Sequence, residues 1–170
     1  MIGVIPVKAS VRLPGKHLMT VCGERIIEII LRKVSSVFEP LIYSKIDIPF
    51  EYIQDNSDSI IDLVVKLSRQ FPEGFALIAG DMPFFTEKDL RLLLSEFNGL
   101  TTVPKHSDGK LEPLLTIYRG RIQKSPSLHQ SILNSAHHTI PAEKFSPYAF
   151  FNINTEDDLE LANELCKSSS

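Results

Sequence analysis

The chain is predicted to be an α/β protein with a mainly parallel central sheet and helices on both faces. Three observations predict it. Short apolar runs alternate along the chain with segments of helical periodicity, the pattern of a doubly covered parallel sheet. One run, Phe75 to Ala79, is continuously apolar, as a parallel strand buried on both faces must be. Two of the predicted strands lead directly, one into a basic loop and one into the lone carboxylate Asp81, where open α/β sheets place their ligands.

The elements are predicted in order as follows. Met1 to Val7 is apolar, with strand one over Ile2 to Val7 and a loop reaching Gly23. Glu24 to Val37 is dense in isoleucine and reads as a buried helix, closed by Glu39-Pro40. Leu41 to Ser44 and Phe50 to Ile53 read as short strands. Asp58 to Phe71 is the second helix, with Asn56, Ser57 or Asp58 as its cap. Thr86 caps a helix over Glu87 to Phe97, between strands Phe75 to Ala79 and Leu100 to Val103. Leu114 to Tyr118 is a strand, Arg121 to Asn134 a helix interrupted by Pro126, and His137 to Pro147 irregular. Tyr148 to Ile153 reads as the last strand, Thr155 to Cys166 as a capped helix, and Lys167 to Ser170 as a frayed tail.

Length and composition narrow the classes. The 170 residues, 43% of them hydrophobic, suit one domain with a substantial core. A net charge of −3 disfavours wholesale nucleic-acid binding. No apolar run reaches the ~18 residues of a membrane span, and the N-terminus lacks a signal segment. The expected location is the cytoplasm, with no nucleic acid and no membrane as partner. Cys22 and Cys166 match no metal-ligand spacing and are expected to be two reduced thiols.

The basic segment carries Lys8, Arg12 and Lys16, one cation every fourth residue. Pro14 and Gly15 argue against a helix there, which leaves an exposed loop: either a polyphosphate site or a solvated turn. A Walker A loop ending in Gly15-Lys16 would need glycine where Ser10 stands, and Ser or Thr where His17 stands. No Gly-x-Gly-x-x-Gly occurs. Asp81 follows the buried strand and suits one or two bonds to Mg²⁺, the rest of whose shell is water and phosphate. Its other reading is a turn former or helix cap. Asn152 and Asn154 would share one face of the last strand and offer both donors and acceptors. His137-His138 reads as a surface pair.

Four segments in this order resemble a known family. Ser10-x-Arg12-x-Pro14-Gly15-Lys16 is similar to the loop of nucleotidyltransferases, its end being closest to the sugar-acid cytidylyltransferases; Lys8-Ala9 stands where the molybdenum cofactor guanylyltransferases have Gly-Gly. Ala79-Gly80-Asp81-Met82-Pro83-Phe84 resembles the guanylyltransferases' Asp-Met-Pro motif, whose aspartate holds magnesium. Glu112-Pro113-Leu114 to Tyr118 resembles their Gln/Glu-Pro-Leu strand, and Phe151-Asn152-Ile153-Asn154-Thr155-Glu156-Asp157-Asp158-Leu159 their Phe-x-Asn-x-Asn-Thr-Pro-Glu-Asp-Leu, without the proline.

The resemblance implies a single nucleotidyltransferase domain over 1–170. Its fold would be the three-layer α/β/α, Rossmann-like fold of nucleotide-diphospho-sugar transferases. It implies a Mg²⁺-dependent guanylyltransferase that moves GMP from GTP to molybdopterin or another phosphorylated small molecule and releases pyrophosphate. Asp81 would hold the metal, with Arg12 and Lys16 as its catalytic partners. Val7, Lys8, Ala9, Ser10 and Asp55 would complete the nucleotide side, and Glu112, Asn152 and Asn154 would face the acceptor. A transferase acting on a sugar acid or phospholactate, and an inactive nucleotide-binding regulatory domain, are the alternatives.

Overall fold

A computed structural model of the chain describes residues 1–168. Its central sheet runs β5 (Ile53–Gln54), β4 (Glu39–Ser44), β1 (Ile2–Val7), β6 (Phe75–Ile78), β8 (Leu115–Tyr118), β7 (Thr101–Lys105) and β9 (His137–Pro141). The strands are parallel except β8, which is antiparallel to β6 and β7. A two-stranded hairpin, β2 (Thr20–Val21) and β3 (Glu24–Arg25), stands apart from the sheet. Five helices cover it: α1 (Ile26–Ser35), α2 (Ile60–Gln70), α3 (Glu87–Glu96), α4 (Leu128–Leu133) and α5 (Glu156–Ser168).

Strand pleating divides the core between the two faces. Ile5, Ala76 and Ile78 pack in one cluster with Ile27 and Ile30 of α1, Leu90 and Leu93 of α3, and Ala162 of α5. Their neighbours Val4, Phe75 and Leu77 turn the other way, to Leu63, Val64 and Leu67 of α2 and Leu128 and Ile132 of α4. The arrangement is the three-layer α/β/α sandwich the sequence predicts. Gly3 of β1 has no room for a side chain, because a Cβ would lie 2.8 Å from Val34 and 2.9 Å from Phe38.

Capping sets most of the helix starts. The Thr86 hydroxyl accepts from Asp89 N–H, and the Asp89 carboxylate accepts from Thr86 N–H, a reciprocal capping box. The other oxygen of Asp89 accepts from Ser146 N–H at 2.8 Å and fixes the C-terminal segment to α3. In α5, Thr155 and Asp158 repeat the box. The cap of α2 is Ser59, one residue beyond the three candidates, so that helix begins at Ile60.

Four expectations are corrected. His137 to Pro141 is the edge strand β9, paired in parallel with β7, although its sequence has no strand-like apolar pattern. Tyr148 to Ile153 is a turn and an extended segment outside the sheet. The aromatic run there anchors a loop instead: Phe150 packs on Phe145 and His106, and Phe84 meets Phe151. Only Leu128–Leu133 of the segment Arg121 to Asn134 is helical. Cys22 and Cys166 are joined in a disulfide with Cα atoms 5.4 Å apart, tying the β2–β3 turn to the last helix. Lys167 and Ser168 belong to α5, while the rest of the expected tail, 169–170, lies outside the described residues.

Candidate active site

The chain leaves β1 for β4 and β5 on one side, then returns through α2 to β6 on the other. Strand order therefore reverses between β1 and β6, and the carboxyl ends of such strands form a ligand crevice. A cavity of about 490 Å³ opens there. Its walls come from Pro6 to Arg12, from Ala79 to Asp81, and from the Asp58–Ile60 entry of α2. Lys16, His17, Lys45, Asp55, Leu114 and Asn154 complete it.

The basic loop is more ordered than an exposed turn. The Ser10 hydroxyl accepts from Leu13 N–H at 3.2 Å, and Leu13 is buried. Gly15, at φ 73°, turns the chain into a short 3-10 turn over Lys16–Leu18. Lys8 and Arg12 are exposed, as expected of a phosphate loop, but Lys16 is 8% exposed. Its ammonium donates to Asp81 Oδ2 at 2.9 Å and to Asn154 Oδ1 at 3.2 Å. Three of the four family-like segments thus meet at one nitrogen. The backbone supports this junction, since Ile153 N–H donates to the carbonyl of Asp81 at 2.9 Å.

Two side chains that the sequence reading did not single out complete this end. His17 is 5% exposed. A Cβ on Gly80 would meet its ring at 3.3 Å and Pro6 O at 2.9 Å, so the glycine is what lets loop and strand approach. Burial brings the His17 pKa down to about 4; the Lys16 charge adds to the fall and Asp81 opposes it. The ring is therefore neutral at pH 7. Lys33 of α1 donates to Pro83 O at 2.5 Å, with its ammonium 5.5 Å from the centroid of Phe85. Burial lowers its pKa to about 8, helped by Arg32 and opposed by Asp89 and Glu24. Lys33 braces the segment that carries Asp81.

At the opposite wall, Asp55 is 7% exposed. Its Oδ1 accepts from Ser57 N–H and hydroxyl, and Oδ2 lies 3.8 Å from Lys45 Nζ, which also donates to Ser57 O. Lys45 was missed because a lone lysine after a strand carries no pattern; only the sheet places it beside the basic loop. Glu112 does not line the cavity: its carboxylate meets His106 Nε2 at 2.8 Å and Lys110 at 3.8 Å. Asn152 is exposed and, among the described residues, its side chain bonds only to Phe150 O, so the expected shared face with Asn154 is absent. Among the described residues no group of three or more His, Cys, Asp or Glu side chains could hold a metal together. No helix among them is long and apolar enough to cross a membrane.

The fold is Rossmann-like, and comparison with known proteins finds nucleotidyltransferases that share it. The structure superposes on molybdopterin-guanine dinucleotide biosynthesis protein A from Archaeoglobus fulgidus with a TM-score of 0.75, covering 97% of this chain and 99% of that one at 24% identity. It also matches 2-C-methyl-D-erythritol 4-phosphate cytidylyltransferase from Thermus thermophilus (TM-score 0.68, 98% and 100% covered, 15% identity). A CMP:2-keto-3-deoxy-manno-octonic acid synthetase complexed with CTP matches at a TM-score of 0.67, with 99% of both chains covered and 15% identity. No family model matches the sequence. Within that class the resemblance is to the molybdenum cofactor guanylyltransferases: a probable member from Natranaerobius thermophilus is 26% identical over 88% of this chain and 87% of its own length.

Proposed function

We propose that the protein transfers a nucleoside monophosphate from a magnesium-bound triphosphate to a phosphorylated small-molecule acceptor, releasing pyrophosphate. GTP is the preferred donor and molybdopterin the preferred acceptor. The observation that carries this reading is the Lys16–Asp81–Asn154 junction at the strand-order reversal, facing a cavity ringed by Lys8, Arg12 and Lys45.

The donor set fits the ion. A single carboxylate that faces a cavity and is 21% exposed suits Mg²⁺, which keeps water and phosphate oxygens as its other ligands. Asp81 would hold it, and its chemistry there is to neutralise charge on the phosphates. Arg12 and Lys16 neutralise the triphosphate and the leaving pyrophosphate, and Lys8 adds to the field. Loop N–H groups and the Ser10 hydroxyl proton donate to phosphate oxygens. Such transfer depends on in-line positioning and charge stabilisation more than on a protein nucleophile. A phosphomonoester acceptor is already ionised near neutral pH, so no general base is needed. The backbone of Val7 to Ser10 and the carboxylate of Asp55 stand on the nucleoside side, and Asn154 on the acceptor side. Glu112 and Asn152, expected on the acceptor side, lie outside the cavity.

The preference for GTP rests on the Asp81 and Asn154 segments and on the relative from Natranaerobius thermophilus. Guanine offers N1–H and an amine side by side, whereas cytosine puts an acceptor in one of those places. Binding CTP would leave a buried acceptor unpaired, a cost of roughly 1–3 kcal/mol. The loop from Ser10 to Lys16 favours a second reading, a cytidylyltransferase acting on a sugar acid. Isothermal titration of GTP and CTP with magnesium separates the two. Tighter GTP is expected, and equal affinities or tighter CTP would overturn the guanylyltransferase reading. Release of pyrophosphate with any acceptor excludes an inactive regulatory domain.

A further inference from the structure

A second pocket, about 290 Å³, opens at the other end of the sheet. Gly99 and Leu100 lead into β7, Ser135 and Ala136 lead into β9, and Arg119 follows the antiparallel β8, so these lining residues gather where the parallel strands begin. The nucleotide cavity lies where those strands end. We propose that this pocket is a binding site for a phosphate group, carried by a phosphomonoester or as free phosphate, separate from the nucleotide cavity.

Its lining contains Arg119, Arg121 and Gln123 and no carboxylate, in a chain whose net charge is −3. Among the described residues neither guanidinium has an ion-pair or hydrogen-bond partner, although guanidinium groups bind carboxylates and phosphates in preference to other anions. The segment that carries them is pinned. Arg119 N–H donates to Thr101 Oγ1 at 3.0 Å, Gly120 N–H to Pro72 O at 3.1 Å, and Ile122 N–H to Ser68 Oγ at 3.3 Å. Gly120 is at φ 74°, a turn that keeps both arginines at the pocket while Ile122 is buried.

Ser131 points to the same kind of ligand independently of the arginines. It lines the pocket from α4, is 1% exposed, and its hydroxyl has no hydrogen-bond partner among the described residues. A buried polar group left unpaired is destabilising, and such groups in folded proteins call for a specific explanation. An oxyanion held by the arginines would accept from this hydroxyl. The carboxyl end of α4 also faces the pocket, through Asn134 and Ser135, and a helix C-terminus disfavours anions. Its partial charge of about half an electron, smaller still for a helix this short, is outweighed by two guanidinium charges. The pocket is larger than a phosphate ion, which favours a phosphomonoester with a small polar group attached.

The test is titration of inorganic phosphate and, separately, of ribose 5-phosphate, followed by calorimetry and thermal shift. The proteins are the wild type, Arg119→Gln/Arg121→Gln, Ser131→Ala and Lys16→Ala. Ribose 5-phosphate is expected to bind more tightly than inorganic phosphate. The double variant should weaken both by roughly tenfold or more, from loss of charge-assisted hydrogen bonds, while Lys16→Ala leaves both unchanged. Ser131→Ala should weaken binding several-fold yet leave the ligand-free melting temperature equal or higher, because it removes an unpaired hydroxyl. Binding that survives in the double variant but disappears in Lys16→Ala would place the anion in the nucleotide cavity and overturn the proposal. No saturable binding of either probe to the wild type would overturn it as well. A ligand-free Ser131→Ala that melts well below the wild type would mean that the hydroxyl is already bonded, and would overturn the proposal.

Discussion

Lys16 Nζ stands 2.9 Å from Asp81 Oδ2, joining a loop after the first strand of the sheet to a turn 65 residues later. The ammonium holds the carboxylate at the cavity, where the proposed magnesium would need it. The pair is largely buried, so removing either member leaves the other charge uncompensated. Asp81→Asn is expected to keep the fold and lose turnover. Lys16→Ala should lower kcat on the order of 10²-fold, the effect of deleting one electrostatic stabiliser of a transition state. Initial rates across a magnesium series check both. Near-native turnover of Asp81→Asn at saturating magnesium would show that Asp81 is not the metal ligand. A large fall in the melting temperature of Lys16→Ala with unchanged kinetics would make that lysine structural.

Lys33 fixes the same turn from behind through its bond to Pro83 O. Its pKa is about 8 in the folded protein against 10.5 in an unfolded chain. Below pH 8 both states are protonated and the folded state carries the full cost of the buried charge. From about pH 8 to 10.5 the unfolded chain binds more protons, so this group makes stability rise with pH. Lys33→Met is expected to abolish that rise. It should also cost about 1–3 kcal/mol by stripping the buried Pro83 carbonyl of its donor. Denaturant unfolding at pH 7.5, 9 and 10 checks it: the stability of the wild type relative to the variant should rise with pH, and a constant difference would refute the assignment.

Much of this architecture was legible in the sequence. Ile2 to Val7, Phe75 to Ile78 and the faces of α1 to α3 follow from hydrophobic pattern, and Thr86 announces its helix through its own side chain. Lys8, Arg12, Lys16 and Asp81 could be placed because each follows a recognisable strand. What failed depended on partners distant in the chain. His137 to Pro141 has no apolar alternation and is a strand because β7 offers it an edge. Tyr148 to Ile153 has strand-forming residues but spends its aromatic rings on loop anchoring. Cys22 and Cys166 are 144 residues apart in sequence, and no local pattern reports that their Cα atoms lie 5.4 Å from each other. Asp55 could be placed at the end of a short strand, and it lines the cavity, but its lock on Ser57 and Lys45 is a product of the tertiary turn.

His17 should make the protein sensitive to acid. The imidazole titrates near pH 4 when folded and near 6.5 when unfolded. Between those values the unfolded chain binds more protons, so stability falls as pH drops through the window. Lys16 and Asp81 are the charged groups that act on the ring, and they act in opposite directions. His17→Gln keeps a polar side chain of similar reach and cannot titrate. Its melting temperature is expected to change less than that of the wild type between pH 6.5 and 4.5, measured in one buffer series at constant ionic strength. Parallel curves for the two proteins would show that another group carries the acid response.

The Cys22–Cys166 bond closes nearly the whole chain into a loop whose ends are separated by 144 positions in sequence. Chain-entropy reasoning makes such a long closure worth most in the unfolded state, and disulfides in general contribute about 2–4 kcal/mol. The folded geometry gives the bond a second role. Cys22 sits at φ 55°, beside Gly23 at φ 79°, in the turn between β2 and β3. That hairpin follows directly on the Lys16–Leu18 turn, and α5 follows directly on Asn154. The bond therefore ties together the two segments that meet at Lys16. Cys166→Ser, or reduction of the wild type, is expected to lower the melting temperature by roughly 4–16 °C, from 2–4 °C per kcal/mol for a chain of this size. Magnesium-dependent nucleotide binding should weaken as well, because the Lys16–Asn154 contact loses its tether. Calorimetry of the variant and of the wild type with and without reductant tests this. Identical melting curves under oxidising and reducing conditions would show that the bond contributes nothing, whereas a lowered melting temperature with unchanged nucleotide affinity would confine its role to stability.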